Sequence, residues 1–260
     1  MSMLMDYVDL ACTKSQYPGW PFLGCTPLVL TVSWIDDNLI VGSTKATAMT
    51  KEKLMNNFEC TDEGDLTEFV GSKIDRTEDG GLKFTQPVLI QSFQDEFDLP
   101  TQKYTTPAKA GEMLTNCEEK DALSAGEQTI YRSAVGKAMF LMQYSRAEIY
   151  NSVRDCARHM QMAARKHMMA IGRVMKYCVD RPNRGLVLRP NEKWDGSPKF
   201  EFTIGDRSDS DYAKDPQSQR SVSGGRVLLC GAPVTFRSST QKTVALLVTE
   251  AELYATVICA

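Results

Sequence analysis

Two groups of residues in this sequence have types and spacings that could do chemistry: a pair of adjacent aspartates between apolar runs, and a dense block of cations in the middle of the chain. The aspartates are Asp36 and Asp37, within Leu28-Val29-Leu30-Thr31-Val32-Ser33-Trp34-Ile35-Asp36-Asp37-Asn38-Leu39-Ile40-Val41-Gly42. The runs are short and rich in Val, Leu and Ile, and Asp-Asp-Asn between them is turn chemistry, so the stretch reads as a β-hairpin. Alternation puts Leu30, Val32, Trp34 and Asp36 on one face, and Asp37 with Ile35 on the other. A sharp turn brings both carboxylates near one point. Two ionised carboxylates that close repel, and in a hairpin that the surrounding apolar pattern says is buried, a hard divalent cation such as Mg²⁺ with its preference for oxygen ligands keeps both charged. A solvated turn that bonds its own backbone is the other reading of the same residues.

The cations lie between residues 131 and 190, where 12 basic side chains stand against 3 acidic ones, although the whole chain carries a net charge of −3. Charge concentrated in this way is the footprint of a phosphate-facing surface, with a solvated helix surface as the alternative. Arg132, Lys137, Arg154, Arg158, Arg165, Lys166, Arg173 and Lys176 are its candidate contacts. The eight cysteines form no CxxC pair, and with only two histidines no zinc spacing arises. They read as reduced thiols. His159 and His167, eight apart along a helical run, are expected to lie about 12 Å apart along the axis and to serve packing.

The elements that must position these groups follow from period and punctuation. Thr44 to Phe58 reads as a helix, Leu66 to Gln86 as a hairpin turning at Asp79-Gly80-Gly81, and Val88 to Leu99 as an amphipathic helix stopped by Pro100. Residues 101–130 read as a linker. Tyr131–Leu141, Ile149–Met162 and Lys166–Val179 have helical spacing and carry the basic block. From Phe200 the period changes to alternation, giving three strands of an antiparallel meander, with Gly224-Gly225 as an expected bulge or close approach and Cys230-Gly231 as a turn. Thr243 onward is helical. With 42% hydrophobic residues the 260-residue chain can bury a substantial core, and it lacks a signal peptide or an apolar stretch of the ~20 residues a span needs. An intracellular location, cytoplasmic or nuclear, is the expectation.

Trp34-Ile35-Asp36-Asp37 and its flanks resemble the YVDDLLITG motif of copia-type retrotransposon Pol polyproteins. Leu66–Gln86 is similar to FLGIEI-x-R-x-x-DG-x-x-L-x-Q of that family, and Tyr131–Leu141 to YRS-x-VG-x-x-MYL. Ser208-Asp209-Ser210-Asp211-Tyr212-Ala213, Gly231–Phe236 and Gln241–Leu246 resemble SDADWA, GGAPVSW and QKTVALSSTEAEY, with Thr249-Glu250-Ala251-Glu252 matching TEAE. The resemblance covers about residues 28–258. It implies an α+β fold in three parts: the end of a reverse transcriptase palm (1–105), a linker with basic thumb and connection helices (106–195), and the first part of a ribonuclease H-like domain (196–260), a meander plus its first helix.

It also implies the chemistry. Asp36 and Asp37 would be polymerase carboxylates, and Asp209 and Glu252 ribonuclease H carboxylates, all four holding Mg²⁺ or Mn²⁺ in two-metal nucleotidyl transfer and RNA hydrolysis. Asp211 and Glu250 read as solvated or capping residues. RNA template, DNA primer and RNA–DNA hybrid are the implied partners, deoxynucleotides only with an upstream polymerase part, and a virus-like particle is one implied setting. Departures are Trp34 for the usual tyrosine, Ser145-Arg146-Ala147-Glu148 for Thr-Arg-Pro-Asp, and Met168 for tryptophan. A third polymerase aspartate and two further ribonuclease H carboxylates are expected outside this sequence. The alternative is a catalytically dead or repurposed relic that binds RNA–DNA hybrid or other nucleic acid.

Overall fold

The computed structural model describes residues 29–35, 37–194 and 199–259. They fall into two compact units, one made of the described residues up to 74 with those of 192–202, the other of residues 75–191 with those from 203 to 259.

In the smaller unit, β1 (Val29–Trp34) and β2 (Asp37–Gly42) pair antiparallel in a register that sets Trp34 against Asp37, so the hairpin has a two-residue turn. Ile35 in that turn takes a left-handed φ of 51° and is 87% exposed. The strands are half-buried at most, so the buried hairpin that its apolar runs suggested is not what forms. Helix α1 (Thr44–Asn57) follows directly, its first turn capped by the Ser43 hydroxyl, which accepts from the Ala46 N–H. A short hairpin of β3 (Glu68–Phe69) and β4 (Ser72–Arg76) turns on Val70-Gly71, and the division between the units falls inside β4.

The larger unit is built on four helices: α2 (Pro87–Glu96), α3 (Ala125–Tyr144), α4 (Tyr150–Ala157) and α5 (Arg165–Val179). Pro87 opens α2, where its missing N–H leaves no bond unmade. A reciprocal capping box opens α3: the Ser124 hydroxyl accepts from the Glu127 N–H while the Glu127 carboxylate accepts from Ser124. The four helices bury Ile90, Phe93, Tyr131, Val135, Leu141, Val153, Ile171 and Val174 in one core. Tyr131 is buried with its hydroxyl donating to the Cys156 carbonyl at 2.7 Å, which lets a phenol sit in apolar surroundings. Beside the helices, β5 (Leu82–Thr85) pairs with β6 (Leu186–Leu188), a strand too short for its alternation to be legible in the sequence.

The meander is β7 (Ile204–Asp211), β8 (Val222–Leu229) and β9 (Ala232–Thr240), in that order, and α6 (Val248–Cys259) packs on it through Ala251 and Ala255. The turn at Cys230-Gly231 forms with both residues at positive φ. A Cβ on Gly231 would meet the Asn191 side chain at 2.4 Å, so the glycine is required twice over. The irregularity in the meander lies between Val227 and Leu228, not at Gly224-Gly225, which pair regularly with Asp209 and Ser208.

Helix α4 stops at Ala157, and the break before α5 folds His159 back onto His167. Their rings stack at 4.2 Å between centroids, both buried, instead of standing two turns apart. His167 Nδ1 accepts from the Ala164 N–H at the start of α5, and its other nitrogen meets the Thr115 carbonyl at 2.9 Å, which assigns the proton to Nε2. Burial first, and then the neighbouring imidazole, push His159 down to about 4. A histidine neutral in the folded state and titrating near 6.5 when unfolded contributes no penalty above that value. Stability is lost as pH falls from about 6.5 towards 4, because only the unfolded chain takes up the proton. Urea melts across that range should show a falling midpoint, and His159→Phe, which keeps a stacking ring, should flatten the fall. Truncating Phe93 to Ala should cost about 3–5 kcal/mol at any pH in the same assay.

Candidate functional site

The sequence-predicted residues are positioned by three different elements. Asp36 lies outside the described residues. Asp37 opens β2 and is exposed beside Asn38, whose side chain bonds Ser33 at 2.6 Å across the hairpin. Nothing in its described setting removes it from water.

Asp209 sits in the middle of β7, and Glu252 sits one turn into α6. The parity of β7 decides their relation. Ser210 donates to Glu252 Oε1 at 2.8 Å and Ser208 meets the Thr256 hydroxyl at 3.3 Å, so the even-numbered residues face α6. Asp209 and Asp211, on the opposite face, line a cavity of about 460 Å³ with Asn151 and Arg154 of α4, and Phe236 and Ser238 of β9. The two candidate ribonuclease H carboxylates are therefore on opposite faces of one sheet. Among the described residues no group of three or more His, Cys, Asp or Glu side chains converges as a metal site. As placed, these residues do not fit one shared Mg²⁺ or Mn²⁺, and no metal-dependent step is assigned to them. Glu250 accepts from the Leu246 N–H at 2.7 Å, a capping contact, and Asp211 pairs with Lys214 at 3.0 Å.

The basic block divides by partner. Lys137 meets Glu96 at 2.5 Å, and Lys176 meets Asp180 at 2.8 Å. Arg158 joins Asp155 and the buried Asp215, while Arg165, 76% exposed, stands 4.0 Å from Glu127. The other four bond neutral groups. Arg132 donates to the Met160 and Gln161 carbonyls. Arg154 reaches Thr240 and Asn151, and Lys166 reaches Thr115 and the Asn116 carbonyl. Arg173 holds the Thr106 and Ala108 carbonyls with its guanidinium over the Tyr104 ring. A carbonyl satisfies a donor without cancelling its charge, so this second set keeps a positive field. Burial lowers Arg154 from its usual range.

Several residues that build this region have no signal in composition or motif. Asp215 is one: burial raises its carboxyl, but the backbone N–H groups of Gln217 and Ser218 and the Arg158 guanidinium outweigh that and hold it below the usual range. Asn151 is another, bridging Arg154 to Ser238. Gln241 is buried and donates to Ser223 and the Ala251 carbonyl, tying α6 to β8. Unlike Asp215 and Asn151 it has a signal in the sequence, since it opens the motif stretch Gln241–Leu246.

The chain is similar to transposon proteins over most of its length. It is 28% identical over 236 residues to the retrovirus-related Pol polyprotein from transposon TNT 1-94 of Nicotiana tabacum, covering 87% of this chain and 17% of that protein. It is 26% identical over 226 residues to the retrovirus-related Pol polyprotein from transposon RE1 of Arabidopsis thaliana, covering 86% and 15%. It is 35% identical over 125 residues to the secreted RxLR effector protein 161 of Plasmopara viticola, covering 48% of this chain and 82% of that shorter protein, which places the two in one family. No protein-family model matches the chain, and no solved structure matches it significantly. No helix among the described residues is long and apolar enough to cross a membrane.

Because Asp215 holds Arg158 and two backbone donors, Asp215→Ala should destabilise the larger unit by about 2–3 kcal/mol in chemical denaturation. That contribution is present above the ordinary carboxylate range and is lost as pH falls through the lowered folded value, so wild type and variant should converge in acid. A variant equally stable at neutral pH would show that the pair contributes nothing.

Proposed function

This chain is a homologue of retrovirus-related Pol polyproteins of transposons, and from that premise we propose that it is a fragment of a retrotransposon RNA-directed DNA polymerase with ribonuclease H. The observation that carries the reading is the likeness across 86–87% of the chain. The chain spans 15–17% of those polyproteins, so their whole activity does not transfer to it alone. In the full-length protein Asp36 and Asp37 would belong to the polymerase site and Asp209 and Glu252 to the ribonuclease H site, with Mg²⁺ or Mn²⁺ supplying Lewis-acid chemistry. Template RNA, primer DNA and their hybrid would be the partners, inside the cell, in a particle or the nucleus.

A second reading, a relic that binds RNA–DNA hybrid without cutting it, is favoured by one observation. Asp209 and Glu252 face apart, while Lys166 and Arg173, seven residues apart on α5, share a helix face and keep their charge on neutral partners, with the exposed Arg165 beside them in sequence. The two readings separate on the isolated chain. Primer extension in Mg²⁺ should match that of Asp36→Asn, and extension that vanishes in Asp36→Asn would restore a self-contained enzyme. Binding to an RNA–DNA hybrid should weaken steeply with salt, and Arg165→Ala/Lys166→Ala/Arg173→Ala should reduce the slope of log affinity against log salt by about 2–3. Unchanged binding in the triple variant would remove the basic face from either reading.

A further inference from the structure

We propose that β7 is a two-register strand, whose second register carries Asp209 across the sheet to the α6 face beside Glu252. A strand's register is fixed by side chains that must stay buried, and a slip of one residue exchanges its faces. Nothing of the kind fixes β7. None of its eight residues is buried, and among the described residues it pairs on one edge only, with β8. Its central sequence, Ser208-Asp209-Ser210-Asp211, is polar on both faces with period two, so a one-residue slip swaps serines for aspartates and changes little else in polarity. Opposite Asp209 and Ser208 stand Gly224 and Gly225, which offer no side chain to resist the passage. A Cβ on Gly224 would touch only the Asp209 carbonyl, at 3.9 Å.

The contacts that hold the observed register beyond the strand ladder are few and mostly exposed. They are Ser208 with Thr256, Tyr212 with the Leu246 carbonyl, and Asp211 with Lys214, alongside the part-buried Ser210–Glu252 bond, the Ala213 N–H donating to the Ser221 hydroxyl, and the Cys230 N–H donating to the Thr203 carbonyl. The direction of slip follows from Ile204, which is 73% exposed at the start of β7. Moving the strand forward by one residue takes Ile204 into the half-buried place of Gly205, opposite Leu228, and Asp209 into the place of Ser210. Asp211 then joins the ten-residue connection 212–221, and a connection of that length absorbs one more residue easily. The geometry of the slip is independent of the polymerase and ribonuclease H reading. Only its consequence, a carboxylate pair on the α6 face, bears on that reading.

Disulfide trapping tests it without any activity measurement. Ser210→Cys/Glu252→Cys reports the observed register and Asp209→Cys/Glu252→Cys the second, with crosslinks mapped by mass spectrometry among the native cysteines. Both pairs are expected to form, the second severalfold more slowly. Adding Gly224→Val, which puts a β-branched side chain opposite Asp209, should suppress the Asp209 crosslink and leave the Ser210 crosslink intact. Formation of the Ser210 crosslink alone would overturn the proposal, and so would an Asp209 crosslink indifferent to Gly224→Val, which would mean fraying without register. If neither pair crosslinked, α6 would not lie on β7 as described, and the proposal would fall with that placement.

Discussion

The larger unit depends on one constraint: four helices, from 8 to 20 residues long, must exclude water from a single core. Helix α4 has only eight residues and would not persist alone, since a short isolated helix cannot offset the cost of its own nucleation. Its apolar residues Val153 and Cys156 are held by α3 and α5, and the Tyr131 hydroxyl closes the contact by occupying the Cys156 carbonyl. Because α4 is placed that way, Asn151 and Arg154 reach Ser238 and Thr240, and the meander is fixed against the helices by polar bonds. Asp215 adds a third tie from the β7–β8 connection to Arg158.

The same economy governs the cations. Residues 104–116 have almost no regular structure, and they stay on the helices because side chains of α5 and its surroundings satisfy their backbone. Arg181 holds the Tyr104 carbonyl, Arg173 those of Thr106 and Ala108, His167 that of Thr115, and Asp155 the N–H of Leu114. A half-buried loop must pair its backbone groups, and long cationic side chains supply donors without adding an acceptor that would itself need a partner. Folding therefore accounts for part of the basic block. The ion-paired members are neutralised, whereas the carbonyl-bonded ones keep their field. Charge counts along a sequence cannot separate the two classes.

What was legible in the sequence was whatever local chemistry decides. The helix caps at Ser43 and Ser124, Pro87 at the start of α2, and the Cys230-Gly231 turn announce themselves through residue types that act within four positions. The three helices carrying the cations and the three strands of the meander form near where period puts them, but with other ends: α3 begins at Ala125, inside the expected linker, α4 stops at Ala157 and not Met162, β7 begins at Ile204 and not Phe200, and α6 begins at Val248 and not Thr243. Illegible were the features that need distant partners. Strand β6 exists because β5 is beside it. The irregularity at Val227 and Leu228 belongs to the pairing with β9, while the glycines that suggested it pair normally. The histidine stack needed the break after Ala157 to exceed a simple kink, and a spacing of eight residues gave no sign of that.

The candidate carboxylates show the same limit more sharply. A motif conserves the order of residue types along a chain, but in a strand the face of each side chain depends on parity, and parity depends on register. Asp209 and Glu252 can both be present, correctly spaced in sequence, and still be separated by the thickness of a sheet. Helical positions do not carry this ambiguity to the same degree: Ala251 and Ala255 anchor α6 on the sheet, and that fixes Glu252 on the flank over β7. The side chain that meets it is Ser210, and β8 opposes this stretch of β7 with Gly224 and Gly225, which supply no side chain to fix the alignment. Register, more than the presence of either carboxylate, therefore decides what the α6 face of β7 presents.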